Sequence, residues 1–249
     1  MRTIIVKGII EKPLILETSN TIVCEPNSRC ILVDMLKKDV KIHIKNNAEV
    51  FYVCLHKSGN KKARVEKNAT IHWIEAYTQS VETRTYTELH GINAHATSTV
   101  FFIGNNKEKY NITHETLHTA KKTTSDITIL GTIDHARAHT TAKTIIEKTA
   151  RGAVAHQKLK TILLDDSATA SALPEMNIKN YDVQATHNAS VGHIKQEQLF
   201  YITTRGIDEH DAKQQVIQGY FTELLQRFNE DIKILIIKKL FPKLGEHNV

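Results

Sequence analysis

Residues 100–131 read VFFIGNNKEKYNITHETLHTAKKTTSDITILG, and the two ends of this run decide the fold. Val100-Phe101-Phe102-Ile103-Gly104 is echoed 27 positions on by Ile127-Thr128-Ile129-Leu130-Gly131. Each is a short apolar strand pattern closed by glycine, and polar turn residues, Asn105-Asn106, follow the first. Gly131 is echoed by Gly152 after 21 positions, and His72, His95, His118 and His139 step by 23, 23 and 21. Steps of this size suit a parallel β-helix, in which each coil buries its inward side chains only by stacking on the next. A β-sandwich also needs many short strands, but its hairpins favour Asn-Gly or Asp-Gly, and neither dipeptide occurs.

Outward from this run, strand patterns are expected at Cys30–Asp34, Val40–Ile44, Glu49–Leu55, Thr70–Ala76, Thr144–Glu147, Thr161–Leu164 and Met176–Ile178. Residues 1–20 form an N-terminal strand segment, and 21–194 the β-helix. From 195 to 249 the period becomes helical. Gln196–Thr204 is a short helix stopped at Arg205-Gly206, where glycine suits a left-handed C-terminus. Asp208 is the N-cap of the next helix, with Glu209 and Asp211 in its first turn. Ala212, Val216, Tyr220, Leu224 and Phe228 then recur every fourth residue, flanked by Ile217, Phe221 and Leu225, as one apolar stripe. Gly219 inside it costs about 1 kcal/mol relative to alanine, which points to close packing there. A third helix, Asp231–Leu240, ends before Pro242.

The 249 residues carry 41% hydrophobic and 24% charged residues, the balance of a globular chain with room for a core. The net charge of +6 is spread among 27 acidic groups with no arginine-rich run, so nucleic-acid binding is not favoured. No apolar stretch has the length of a membrane span. Cys24, Cys30 and Cys54 match no metal-binding spacing and read as reduced, buried thiols of a cytoplasmic protein.

Residues 150–221 carry a more specific signal: Ala150-Arg151-Gly152, Leu163-Leu164, Pro174-Glu175, Thr186-His187, Ala189-Ser190-Val191-Gly192, Leu199-Phe200-Tyr201, Arg205-Gly206-Ile207 and Gly219-Tyr220-Phe221. In this order they resemble the SufB/SufD scaffold proteins of the SUF iron–sulfur cluster assembly system. The resemblance implies a right-handed parallel β-helix with a C-terminal helical segment and no catalytic residues. It also implies docking of the helices onto a SufC-like ABC ATPase, and pairing of the β-helix with a second SufB/SufD-like scaffold subunit, as a hetero- or homodimer. A transient iron–sulfur cluster at the subunit interface is the implied cargo, with His187 as metal-ligand candidate beside Asn188. Where SufB-like members carry a cysteine this chain has Leu159, and Asn188 replaces a glutamate. Leucine cannot ligate iron, so the chain looks closer to SufD, as a short or divergent member.

The ATPase-docking residues expected on this basis are Tyr201, Arg205, Gly206, Ile207, Val216, Gly219, Tyr220, Phe221 and Leu225, with the aromatic residues as anchors. The expected site of His187 is a buried one on the last strands. Two other patterns compete. His114-Glu115-Thr116-Leu117-His118 matches the HExxH motif of zinc hydrolases, whose chemistry needs a helix so that both histidines share a face. Its threonine-rich surroundings favour strand, so the match reads as chance. The other alternative is a binding-only β-helix. No P-loop pattern is present, so ATP hydrolysis falls to a partner.

Overall fold

The computed structural model describes residues 3–36, 38–56 and 59–242. In chain order its strands are β1 (Thr3–Val6), β2 (Leu14–Leu16), β3 (Thr21–Cys24), β4 (Arg29–Asp34), β5 (Val40–Ile44), β6 (Glu49–Cys54), β7 (Lys61–Val65) and β8 (Thr70–Tyr77). They continue as β9 (Val81–Leu89), β10 (His95–Gly104), β11 (Lys109–His118), β12 (Thr124–Ile133), β13 (Arg137–Ile146), β14 (Ala153–Leu163), β15 (Thr169–Ile178) and β16 (Val183–His193). Helices α1 (Gln196–Thr203), α2 (Glu209–Leu225) and α3 (Glu230–Leu240) follow. Odd-numbered strands stack in order from β1 to β15 in one parallel sheet, and even-numbered strands from β2 to β16 in the other. The chain is a parallel β-solenoid in which every coil gives one strand to each sheet. Residues before 21 are its first rung, since β1 pairs with β3 and β2 with β4.

Register identifies the inward rows. One runs Leu16, Asp34, Cys54, Glu75, Val100, Ile129, Leu159, Ala189 through the even sheet. The coil turns are held by a ladder of asparagines. Asn27, Asn47, Asn68 and Asn93 all take positive φ, between 55° and 61°. Asn47, Asn68 and Asn93 each pass a side-chain N–H to the Oδ1 of the one before, at 3.0–3.1 Å. Asparagine tolerates the left-handed region better than other side-chain-bearing residues, and the ladder offsets the remaining cost. Coil length grows along it, from 20 to 25 residues, and then to 29 and 30.

That pitch revises the repeats read from sequence. Val100 stands in register with Ile129 rather than Ile127, and Phe102 with Gly131. Glycine is required at 131 because a Cβ there would lie 2.0 Å from the Phe102 ring. Gly152, by contrast, is a turn residue at φ +70° and no counterpart of Gly131. The four histidines form no ladder: His72 and His95 lie on the even sheet, His118 and His139 on the odd one.

The helices fold back over the outer face of the even sheet. Val53, Ile74, Phe101, Leu130 and Ile162 project from that face into one cluster with Leu199, Ile217, Phe221, Leu224, Ile232 and Ile236. Phe101 and Phe221 lie 5.7 Å apart between ring centroids. The caps follow local chemistry: Asp208 accepts from Asp211 N–H and Asn229 from Ile232 N–H, both at 3.0 Å. Gly206 takes φ +86° after α1. No helix of the described residues is long and apolar enough to cross a membrane.

Candidate functional site

Three places carry groups that packing alone does not explain: the open end of the solenoid, the outer surface of α1 and α2, and a polar zone of the lumen.

At the open end, β15 and β16 are the last strands of their sheets. Their inward rows have no coil above them. His187 stands in the row of Trp73, Ser98, Ile127 and Gln157. Gln157 is buried below it, donating to Thr144 Oγ1 at 2.8 Å and to the Glu175 carbonyl at 3.1 Å. His187 itself is exposed, not buried as expected, and Asn188 is exposed on the outward row beside Lys158. The cause is position: an inward side chain on a terminal strand has nothing stacked on it. Ile178 and Val191 of the same inward rows are about two-fifths exposed. Pro174, which has no N–H for the ladder, sits on the edge strand β15, where this costs least. Leu159 is fully buried in the lumen. All three cysteines belong to β3, β4 and β6 and are buried. An iron–sulfur cargo at this end would therefore find no cysteine of this chain, with His187 the foremost nitrogen ligand, and would need thiolate or sulfide from elsewhere.

On the helical surface the expected residues divide. Tyr201, Arg205, Gly206 and Gly219 are exposed, and Ile207, Val216 and Tyr220 half-buried. The Arg205 guanidinium lies 4.5 Å from the Tyr201 ring centroid and donates to its hydroxyl. Phe221 and Leu225 are core residues packed on the even sheet, so as partner anchors they are corrected. The buried stripe keeps Ala212 and Leu224 of the expected line and otherwise runs through its flanking residues Ile217, Phe221 and Leu225. The close packing expected at Gly219 is not found within the chain: a Cβ there would meet nothing within 4 Å. Lys160 Nζ sits 3.4 Å over the Tyr220 ring and ties α2 to β14.

The HExxH match lies in strand β11. His114 and His118 point inward, whereas Glu115 is on the opposite face, paired with Arg84. His118 bonds Thr123 and Ser125 at 2.8 and 2.9 Å, and burial pushes its pKa down to about 4. The glutamate cannot serve the histidines, and the zinc-hydrolase geometry is absent.

The lumen holds what the sequence did not reveal. Lys61 and Glu75 are both fully buried, with Nζ 3.5 Å from Oε2. Lys61 also donates to Tyr77 Oη (3.2 Å) and Thr83 Oγ1 (3.0 Å). Glu75 accepts from Tyr77 at 2.6 Å and Thr85 at 2.9 Å. His114 Nε2 approaches the same carboxylate at 3.5 Å, outside hydrogen-bond geometry. Burial would raise the Glu75 carboxyl, but Lys61 and then His114 outweigh it and hold it well below the ordinary range. The available signal was charge at inward positions, Lys61 and Glu75, which requires the register to be known.

Comparison with known proteins fits this architecture. Residues 16–220 match the family model described as "SUF system FeS cluster assembly, SufBD core domain". A SufBD family iron–sulfur cluster assembly protein of Mycobacterium leprae is 28% identical over 193 residues, covering 73% of this chain and 22% of the relative. The iron–sulfur cluster assembly protein SufD of Escherichia coli is 32% identical over 84 residues, 33% of this chain and 20% of the relative. SufB of Bacillus subtilis is 26% identical over 164 residues, 64% of this chain and 35% of the relative. The chain thus spans about a fifth to a third of the length of these relatives. With a SufBD core match across most of its residues and the two-sheet solenoid to go with it, this chain belongs to the SufBD family of iron–sulfur cluster assembly proteins.

Proposed function

We propose that this chain is a non-catalytic scaffold subunit of a SUF-type iron–sulfur cluster assembly complex, in a SufD-like role. It pairs with a second scaffold, of its own or another kind, through the β15/β16 end. It offers the exposed side of α1 and α2, around Tyr201, Arg205, Ile207, Val216 and Gly219, to a SufC-like ABC ATPase. ATPase dimerisation then displaces two helical segments and, through them, the paired solenoids near His187. The observation that carries this reading is the bare end: two parallel sheets stop together with edge backbone groups and lumen side chains facing solvent. Such edges are templates for pairing with another chain.

The test is co-purification from the native host under anaerobic conditions, with iron and sulfide assays on the isolated complex. Ala189→Asp with Val191→Asp is expected to abolish scaffold pairing, read as a halved mass in light scattering. Tyr201→Asp with Arg205→Glu is expected to abolish ATPase capture while leaving scaffold pairing intact. Unchanged pairing and capture in these variants refutes the assignment of the two surfaces.

A further inference from the structure

The coil beneath the open end holds a buried acceptor that its own packing does not satisfy. Gln157 lies on the inward row of β14 and is 3% exposed. Its side-chain N–H groups donate across the lumen to Thr144 Oγ1 and to the Glu175 carbonyl. A carbonyl can only accept, so the second bond fixes which end of the amide is nitrogen. Gln157 Oε1 is then left buried with no hydrogen-bond partner, a costly state for an amide oxygen. Ile127 beneath it in the row has no side-chain donor, and neither have Ala155 and Leu159 beside it in β14. The other neighbour in register is His187, on the terminal strand.

We propose that Gln157 is the positioning residue of His187. Its Oε1 accepts one ring N–H of the histidine, and the other ring nitrogen, unprotonated, faces out of the open end towards the cargo. The first half concerns this chain alone; the second rests on the scaffold role proposed above.

Three observations support it. Neighbouring strands lie about 4.8 Å apart, so side chains in register meet by rotation about their own bonds. This solenoid joins other histidines to their in-register neighbours in that way. His72 Nδ1 lies 2.8 Å from Thr97 Oγ1, His156 Nδ1 lies 2.7 Å from Thr186 Oγ1, and His139 bonds Ser171. Those hydroxyl partners can donate or accept, whereas an amide oxygen only accepts, so Gln157 alone among these partners dictates the tautomer. A ligating imidazole must be neutral, and a fixed acceptor on its other N–H orients the ring and raises its basicity. Gln157 Oε1, anchored through Thr144 and Glu175, supplies that acceptor without adding charge.

The test uses the full chain with ¹⁵N-labelled histidine, the His187 signals being assigned by their loss in His187→Gln. At pH 8 the expected result is a single His187 tautomer with one ring N–H protected from exchange with water. Gln157→Met removes the acceptor at nearly equal volume, so protection is lost and the tautomers mix. Gln157→Glu also loses the donors to Thr144 and Glu175 but restores an acceptor, so protection returns. A residue that only braced the lumen would make the two variants alike. Where Gln157→Met misfolds by circular dichroism, the wild-type and Gln157→Glu spectra decide. In the anaerobic complex from the native host, Gln157→Met is expected to lower bound iron by at least about tenfold, with scaffold pairing and ATPase capture intact. An unprotected, mixed-tautomer His187 in the wild-type chain, protection that persists in folded Gln157→Met, or unchanged iron in that variant overturns the proposal. A wild-type complex that pairs but carries no iron, with the His187 N–H protected, sinks the scaffold role and upholds the hydrogen bond.

Discussion

Replacing Lys61 by methionine removes one charge from the middle of the lumen and nearly nothing else. Methionine keeps most of the side-chain volume, so the effect is electrostatic rather than a cavity. Glu75 is left fully buried with hydroxyl bonds from Tyr77 and Thr85 but without the cation that holds its carboxyl down. Breaking a buried pair from one side costs about 3–5 kcal/mol, and the two surviving hydroxyl bonds place Lys61→Met near about 3. Glu75→Gln should cost a similar amount, because it strands the ammonium. The double variant strands neither, so its cost should fall short of the sum by at least about 1.5 kcal/mol.

Urea unfolding of the four proteins at pH 7 measures the cycle. The pH dependence supplies an independent sign. In the parent, the depressed Glu75 carboxyl contributes stability that is present above its unfolded value, near pH 4.3, and lost as pH falls below that. In Lys61→Met, burial is opposed only by His114 and the surviving hydroxyl bonds, and the Glu75 carboxyl rises. The penalty is then full at neutral pH and shrinks on acidification, so the gap between variant and parent must narrow between pH 7 and 5. Single variants each costing under about 1 kcal/mol, adding without coupling and keeping a constant gap, would refute the account of a mutually dependent buried pair.

Three further outcomes can be checked with the same assay. Phe221→Ala, at a fully buried site against Phe101 and Phe241, should cost about 3–5 kcal/mol and open α1–α3 to limited proteolysis before the solenoid. His118→Gln should flatten the acid limb: its pKa of about 4 against about 6.5 unfolded means stability present above pH 6.5 is lost progressively down to pH 4, on the order of 3 kcal/mol. Gly219→Ala should stabilise the isolated chain by nearly 1 kcal/mol, since the added methyl meets nothing, whereas Gly131→Ala should destabilise it by more than about 1 kcal/mol through overlap with Phe102.

The pattern of what could be read from the chain follows from which strand faces are wet. β10 and β12 are covered on both sides, by the lumen and by the helices, so VFFIG and ITIL read as continuous apolar runs. The odd strands have one face in water, and β9 (VETRTYTEL) fills its inward positions with Thr83, Thr85 and Thr87. Threonine inside and charge outside leave β9 no apolar alternation to detect, threonine and histidine blur it in β11, and β3 (TIVC) and β7 (KKARV) are too short to show a period. The end of α1 and the start of α2 were legible because Gly206 and Asp208 act through local backbone chemistry, whereas the Asn229 cap of α3 appears only in the structure. The fate of the helical stripe was not legible: its apolar period is the same whether it packs on its own sheet or on a partner. His187 illustrates a related limit, since alternation tells which row a side chain joins and not whether another coil covers it.

The docking of the helices constrains how such a scaffold could transmit force. Separating α1–α3 from the even sheet would expose Phe101, Leu130 and Ile162 together with Phe221, Leu224 and Ile236. At about 1.5–3 kcal/mol for each large side chain, that is on the order of 10 kcal/mol, comparable to the whole stability of a typical domain. On the proposed function, an ATPase gripping Tyr201 and Arg205 would therefore not peel off a loose arm. It would move α2 with β14, through the Phe221 cluster and the Lys160–Tyr220 contact, because β14 holds β16 in continuous register from Ala153 and Val183 to Leu163 and His193. A displacement applied at the helices thus arrives at the open end as a rigid shift of the strand that bears His187. Weakening the Phe221 contact should uncouple the two while leaving Tyr201 and Arg205 free to bind.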